Sequence, residues 1–382
     1  MSSSRADYSH LYWVLKDLQA DARFELRTIA TGALLSDEFG RGVDDLERDG
    51  FRVDERVECL LSADTDTGMA RTLGVATLGM ADALGRLRPD LLLLTADRYE
   101  MLAPASVALT LRIPVAHIEG GDASLGAIDE AARHALTKLS HLHLTPTETA
   151  RRRVLALGEE PWRVHRVGAP SLDHLRRSRL LDGRALAERL GVTVAPGSLL
   201  VACHPVTLQR DTLAEADAVF SALDELDAPL LFCFPNADAG SRELVRRARE
   251  LCARRVDAHL FVNLDPVTYW SLLGVVAAML GNSSSGIMES PSLGLPAVNL
   301  GRRQEGRERA ANVLDVAPEP AAIVAAARRA LSPEFRVSLS GLLNPYGDGR
   351  AAERIVGVLA EAPGAERLLR KPAPGSSFPS PD

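Results

Sequence analysis

Short apolar runs alternate along this chain with longer segments of helical period. Residues 91–94, 113–116, 199–203, 230–234, 275–280 and 296–300 are almost uninterrupted in their hydrophobicity. Such runs read as strands buried on both faces, as in parallel sheets. Residues 24–30 form a further candidate strand turning at Thr31-Gly32, and 164–167 another. Between them, apolar positions spaced by three and four predict helices over 11–18, 69–87, 126–138, 148–157, 175–190, 321–331 and 349–359. In the 126–138 helix, Ile128, Ala132, Ala135 and Leu139 mark the expected inner face. Strand and helix alternate through two halves separated by Gly168-Ala169-Pro170. That pattern predicts an α/β protein of two doubly wound, Rossmann-like domains facing a cleft, residues 1–168 and 169–345. Residues 371–382, rich in Pro, Gly and Ser, are expected to form an unordered tail.

Composition narrows the function classes. The 382 residues carry a net charge of −7, which argues against a nucleic-acid partner because phosphate backbones are met by clustered Lys and Arg. The four cysteines (Cys59, Cys203, Cys233, Cys252) form no CxxC and indicate neither a zinc site nor a disulfide framework. No signal segment or membrane-length apolar run is visible, so a cytoplasmic protein without membrane contact is expected.

The chemistry clusters at the carboxyl ends of the predicted strands, where open α/β sheets bind ligands. Residues 281–307 are the richest stretch: GNSSSGIMESPSLGLPAVNLGRRQEGR. Ser283 and Ser284 lie in a small-residue turn entering a helix, a setting that favours anions. Glu289 follows, where a carboxylate can accept hydrogen bonds from ribose hydroxyls, and the Arg303 and Arg307 guanidinium groups match phosphate oxygens. A plain Ser-rich helix cap with surface arginines is the alternative. Asp97 and Arg98 end another strand, or form an Asp–Arg surface turn. His117 and Glu119 flank Ile118 and should project to one face, while Gly120 and Gly121 would let backbone approach a ligand. Asp129 has Arg133 four residues on, a spacing that also fits a solvated helix pair. His204 precedes Pro205 at the end of the 199–203 strand. A His-x-Glu step occurs in zinc deaminases, but their downstream Cys pair is absent, so no metal is expected.

Taken together, these segments resemble a known family. His117-Ile118-Glu119-Gly120-Gly121, then Gly126, Ile128-Asp129, Arg133-His134 and Thr137-Lys138 match the motif of the hydrolysing UDP-N-acetylglucosamine 2-epimerases. So do Arg5-Ala6-Asp7-Tyr8, His204-Pro205-Val206-Thr207 and the 281–307 stretch. The non-hydrolysing branch carries Arg-Pro-Glu in place of Arg5-Ala6-Asp7. The resemblance implies a glycosyltransferase-B-like fold, with a helix in residues 346–370 crossing back onto the first domain. It also implies elimination of UDP to a glycal followed by hydration, releasing a free 2-epimeric sugar of the N-acetylmannosamine type, as used in sialic-acid synthesis. The substrate would be UDP-N-acetylglucosamine or a UDP-2,4-diacetamido-trideoxyhexose. By the same resemblance Asp97, Glu119, Asp129, His117 and His204 would be catalytic. Arg5, Ser9, Arg98, His204, Asn236, Ser283, Ser284, Glu289, Arg303 and Arg307 would hold UDP. No cofactor is implied, and a homo-oligomer (dimer or tetramer) is expected. Leu34 departs from the family, which often has His there, so no role attaches to it. The alternatives are a non-hydrolysing epimerase, a sugar transferase of the same fold, and a nucleotide-sugar sensor that needs no carboxylate trio. The turn at Ser3–Ser9 normally follows a central strand, which the numbered chain lacks. The natural chain is therefore expected to start upstream of Met1.

Overall fold

The structure, a computed structural model, describes residues 1–61, 63–211, 213–234 and 238–372. The second domain is built on a six-stranded, wholly parallel sheet. Its strands are β7 (Leu199–Ala202), β8 (Leu230–Phe234), β9 (Ala258–Val262), β10 (Ala278–Gly281), β11 (Ala297–Leu300) and β12 (Val313–Val316). They lie in the order β12-β11-β10-β7-β8-β9. This is the dinucleotide-fold order, in which the path reverses between the first and fourth strands and leaves a crevice at their carboxyl ends. Here that crevice lies between β7 and β10. Their apolar residues, Leu199, Val201, Ala278 and Leu280, are fully buried beneath helices such as Ala216–Glu225 and Pro320–Leu331. At the crevice Gly281 has φ +146, and a Cβ there would sit 2.1 Å from the Ala202 carbonyl oxygen, so only glycine fits.

The first domain repeats the plan. A two-stranded piece, β1 (Ile29–Thr31) and β2 (Glu55–Val57), stands beside a four-stranded piece of β3 (Leu92–Thr95), β4 (Val115–Ile118), β5 (Leu142–Thr145) and β6 (Val164–Arg166). Met1 and Ser2 lie between the two. Ser2 bridges Ala30 in parallel, donating its N–H to the Ile29 carbonyl, and the Met1 amine donates to the Leu93 carbonyl. The chain then enters the helix Arg5–Ala20. Ser4 caps it in a reciprocal capping box with Asp7, whose carboxylate also accepts from the N–H groups of Ser3 and Ser4. Tyr8, Leu11, Val14, Leu15 and Leu18 form its buried stripe. Arg5, Ser9 and His10 are left turned towards the cleft. Ile355, Val356 and Leu359 of the helix Ala351–Ala360 join the same apolar cluster as Tyr8 and Leu11, so the chain returns to the first domain. The Asp173 carboxylate caps that returning helix by accepting from Ala351 and Ala352 N–H.

Several local expectations change. The predicted 24–30 strand is paired only from Ile29. The single helix expected over 175–190 is two, Asp173–Arg177 and Gly183–Leu190, because Asp182 caps the second by accepting from Ala185 N–H. The inner face of Asp129–Leu139 is Ala132, Arg133, Leu136 and Thr137, with Ala135 exposed, because Arg133 turns inward to acids on other loops. Lys371, expected in an unordered tail, is anchored. Its ammonium donates to the Ser140 carbonyl (2.6 Å) and pairs with the buried Glu159 (2.8 Å). No described helix is long and apolar enough to cross a membrane.

Candidate active site

The two crevices face one another and form two adjoining chambers. One is lined by Arg5, Ser9, Ser171, His204, Tyr269, Ser283, Ser284 and Glu289. The other is lined by Asp97, Arg98, Glu119, Asp122, Asp129, Arg133, Arg303 and Arg307. Ala6, His10 and Ser284 belong to both walls. The first chamber is rich in hydroxyls and backbone; the second is a dense field of carboxylates and guanidinium groups.

In the hydroxyl-rich chamber, the Asn282 side chain clamps the β7 loop by accepting from His204 N–H (2.7 Å) and donating to the His204 carbonyl (2.8 Å). Burial first, and the Arg303 charge next, push the His204 imidazole down to about 3, so it is neutral at physiological pH. Ser284 opens a helix of a single turn, Ser285–Met288, and Glu289 closes it. Glu289 accepts from the Ser171 hydroxyl at 2.6 Å. Arg5 donates to the Leu264 carbonyl (2.7 Å) across the cleft.

In the charged chamber, strand ends are used twice. Ala96 after β3 and Glu119 after β4 both have left-handed backbones, φ +61 and +66. Non-glycine residues rarely adopt that conformation, and here it swings Asp97 and Glu119 out of the strand direction into the cleft. The expected alternation of His117 and Glu119 therefore fails. His117 is fully buried, lines neither chamber, and holds the Ala96 carbonyl through Nε2 at 2.6 Å. Its imidazole is pushed down to about 4 by burial, against the Ala96 hydrogen bond. It fixes the turn that presents Asp97 and does not itself reach the cavity. Gly121 is likewise a packing residue: a Cβ there would meet the Ala150 carbonyl at 2.2 Å, not a ligand.

Three carboxylates in this chamber differ in their surroundings. Burial would raise Asp97, but Arg133, which hydrogen-bonds it, and Arg307 hold it at about 2. Asp129 is pushed up to about 7, by burial first and then by Asp97 and Asp238, against Arg303 and Arg98. It does not pair with Arg133 as the helical spacing allows, because Arg133 is committed to Asp97 and Glu130. Glu119 accepts from His10 Nδ1 at 2.8 Å. Arg98 pairs with Glu100 (2.9 Å) and Asp238 (3.3 Å), and Arg307 with Asp122 (3.3 Å). One carboxyl held ionised beside one poised near neutrality is the arrangement that acid–base chemistry requires.

Of the residues singled out in the sequence, Arg5, Ser9, His204, Ser283, Ser284 and Glu289 meet in the first chamber, and Asp97, Arg98, Glu119, Asp129, Arg303 and Arg307 in the second. Asn236 lies outside the described residues. Sequence reasoning missed His10, Ser171, Tyr269 and Asp122. Only His10 carried a signal: it sits one helical turn from Ala6, beside Ser9, outside the apolar stripe.

A family model described as UDP-N-acetylglucosamine 2-epimerase matches residues 16–360. The GDP/UDP-N,N'-diacetylbacillosamine 2-epimerase (hydrolyzing) of Campylobacter jejuni is 36% identical over 318 residues, covering 82% of this chain and 83% of its own. The UDP-N,N'-diacetylbacillosamine 2-epimerase (hydrolyzing) of Legionella pneumophila is 33% identical over 373 residues, covering 97% of both chains. In fold, the UDP-GlcNAc 2-epimerase of Neisseria meningitidis solved with UDP-GlcNAc superimposes with a TM-score of 0.80 at 20% identity, covering 94% of this chain and 98% of its own. The glycosyltransferase-B-like architecture, the carboxylate motif and these matches agree: the chain belongs to the UDP-N-acetylglucosamine 2-epimerase family, on its hydrolysing branch.

Proposed function

We propose that the protein hydrolyses a UDP-2,4-diacetamido-2,4,6-trideoxyhexose of the N,N'-diacetylbacillosamine type, releasing UDP and the free sugar inverted at C2. The observation that carries the reading is the junction of a hydroxyl-rich chamber with one holding Asp97, Glu119 and Asp129. The nucleotide fits the former, with Glu289 on the ribose and the Ser283–Ser284 turn, Arg5 and His204 around the diphosphate. The sugar fits the latter. The names of the two hydrolysing relatives favour the diacetamido sugar.

The chemistry follows from the environments. Glu119, held by His10 at 2.8 Å, takes the C2 proton. The C2–H electron pair becomes the C1–C2 double bond, and the C1–O pair leaves with UDP. Water then adds its hydroxyl to C1 and gives its other proton to solvent, while Asp129, neutral below about pH 7, returns a proton to C2 from the other face. Glu119 then loses its proton to solvent and Asp129 regains one, which restores both groups. Asp97 stays ionised and orients Arg133 and Arg307.

The second reading is UDP-N-acetylglucosamine as substrate, favoured by the family description. The test is incubation with each UDP-sugar in D2O, with NMR of the freed sugar. The proposal expects faster release from the diacetamido substrate, one deuterium at C2 and inverted configuration. Faster turnover of UDP-N-acetylglucosamine selects the second reading. Release of sugar without C2 deuterium, or reversible formation of an intact UDP-linked epimer, refutes the mechanism.

A further inference from the structure

His10 belongs to no motif, yet it stands where the two chambers join. Its Nδ1 donates to Glu119 Oε1 at 2.8 Å, and its Nε2 lies 4.0 Å from Glu289 Oε1. Those carboxylates come from opposite domains, one beside the reacting sugar and one beside the nucleotide. The segment of a nucleotide sugar that connects nucleoside to sugar is the diphosphate, so a substrate spanning both chambers must carry it past this imidazole. At 4.0 Å Nε2 is too far from Glu289 to hydrogen-bond, and among the described residues it has no hydrogen-bond partner. It is an open donor facing the cavity.

Each neighbouring cation already has a partner within the protein. Arg98 is held by Glu100 and Asp238, Arg133 by Asp97 and Glu130, and Arg307 by Asp122. Arg5 and Arg303 reach the Leu264 and Asn282 carbonyls. We propose that His10, as an imidazolium, joins Arg5 in receiving the substrate's diphosphate and takes its β-phosphate at the seam, while its other nitrogen fixes Glu119. This rests on the nucleotide-sugar reading above and adds a catalytic residue to it. His10 gives up no proton in the step: the C1–O electron pair leaves on the diphosphate, and the imidazolium balances the charge that gathers there. The titratable groups facing it are Glu119, Glu289, Asp7 on its own helix, and His174. Burial would lower its proton affinity, but Glu119 and Glu289 outweigh burial and hold it at about 9.

The test compares UDP with UMP, which lacks the β-phosphate, by calorimetry on the full chain. The expected result is that wild type prefers UDP and that His10→Gln reduces UDP affinity about 10- to 100-fold more than UMP affinity. His10→Lys, which keeps a cation, should recover most of the preference. In wild type alone, the UDP-over-UMP preference should fall between about pH 8 and 10 as the imidazolium loses its proton. This series carries the test if the variants do not fold. Equal losses for both nucleotides, or a preference flat across that pH range, overturns the role of His10 and leaves the nucleotide reading standing. A wild type that binds neither nucleotide overturns both.

Discussion

Asp129 offers the sharpest test of the chemistry, because its proposed role depends on a charge from the other domain. Its carboxyl lies at about 7 instead of its ordinary 3.8, owing first to burial and then to Asp97 and Asp238. A carboxylic acid at its ordinary value would be neutral in only about one molecule in 10³ at pH 7, whereas here about half are. If Asp129 returns the proton to C2, kcat/KM must follow its neutral form. It should be level below about pH 6 and fall tenfold per unit above about pH 8. Asp129→Asn should abolish that limb and lower turnover by about 10²–10⁴. Asp238→Asn is the informative partner. Asp238 touches Arg98 and reaches Asp129 only through space, so removing its charge lowers the Asp129 titration and moves the alkaline limb towards acid. Initial rates of UDP release from pH 5 to 9 provide the assay. A kcat/KM that rises through pH 7 and stays level to pH 9 would make Asp129 the base and refute the assignment. An alkaline limb that Asp238→Asn does not move would refute the electrostatic account of its position.

Three further outcomes are expected. Glu289→Ala should weaken UDP by roughly 1.5–3 kcal/mol, the scale for hydrogen bonds to a charged group, while 2′,3′-dideoxy UDP binds mutant and wild type alike; equal discrimination of both ligands would assign Glu289 to packing. His117→Ala strands the Ala96 carbonyl and should cost about 1–3 kcal/mol of stability, together with turnover, while UDP affinity stays within a few-fold. A variant of unchanged melting temperature with lost turnover would return His117 to the reacting atoms. Gly126→Ala places a Cβ 2.4 Å from the Arg302 carbonyl of the opposing domain. It should lower kcat/KM by holding the domains apart, and unchanged kinetics would show that this contact does not form during turnover.

The strands were legible because parallel strands buried on both faces leave runs such as Leu91–Leu94, whose reading needs no tertiary knowledge. The strand-end positions of Asp97, Glu119 and His204 followed from the same pattern. Orientation was not legible. His117 and Glu119 share a face only while the backbone stays extended, and the φ of +66 at Glu119 cancels that rule. Arg133 looked like a surface partner of Asp129 because helical spacing records neighbours on one helix, not acids brought in by β3. Ser171, Tyr269 and Asp122 reach the site through contacts more than 15 residues away in sequence, or by loop geometry that no local pattern encodes. Gly121 was ambiguous for the same reason: a glycine marks close approach without naming what approaches.

The contacts between the domains explain how the proposed acid and the proposed nucleotide grip are linked across the cleft. The 122–128 loop, which feeds directly into Asp129, is held by Glu130 and Arg133 of its own domain and at several points from the second domain. Ile128 N–H donates to the Thr207 hydroxyl (3.1 Å), Arg307 donates to the Ala123 carbonyl (3.1 Å), and Gly126 packs on the Arg302 backbone. Asp238 and Arg303, which act on the Asp129 charge in opposite senses, also come from that domain. Thr207 continues the His204 loop, and Arg303 donates to the carbonyl of Asn282, beside the Ser283–Ser284 turn. The same backbone that would grip the diphosphate therefore shapes the loop bearing the acid. Separating the domains would hydrate Asp129 and remove Asp238, and both changes return its carboxyl towards 3.8. A proton donor suited to neutral pH thus exists only in the closed arrangement. The contacts that set the Asp129 environment are therefore the ones that join the nucleotide chamber to the charged one, so the two halves of the site are built as one.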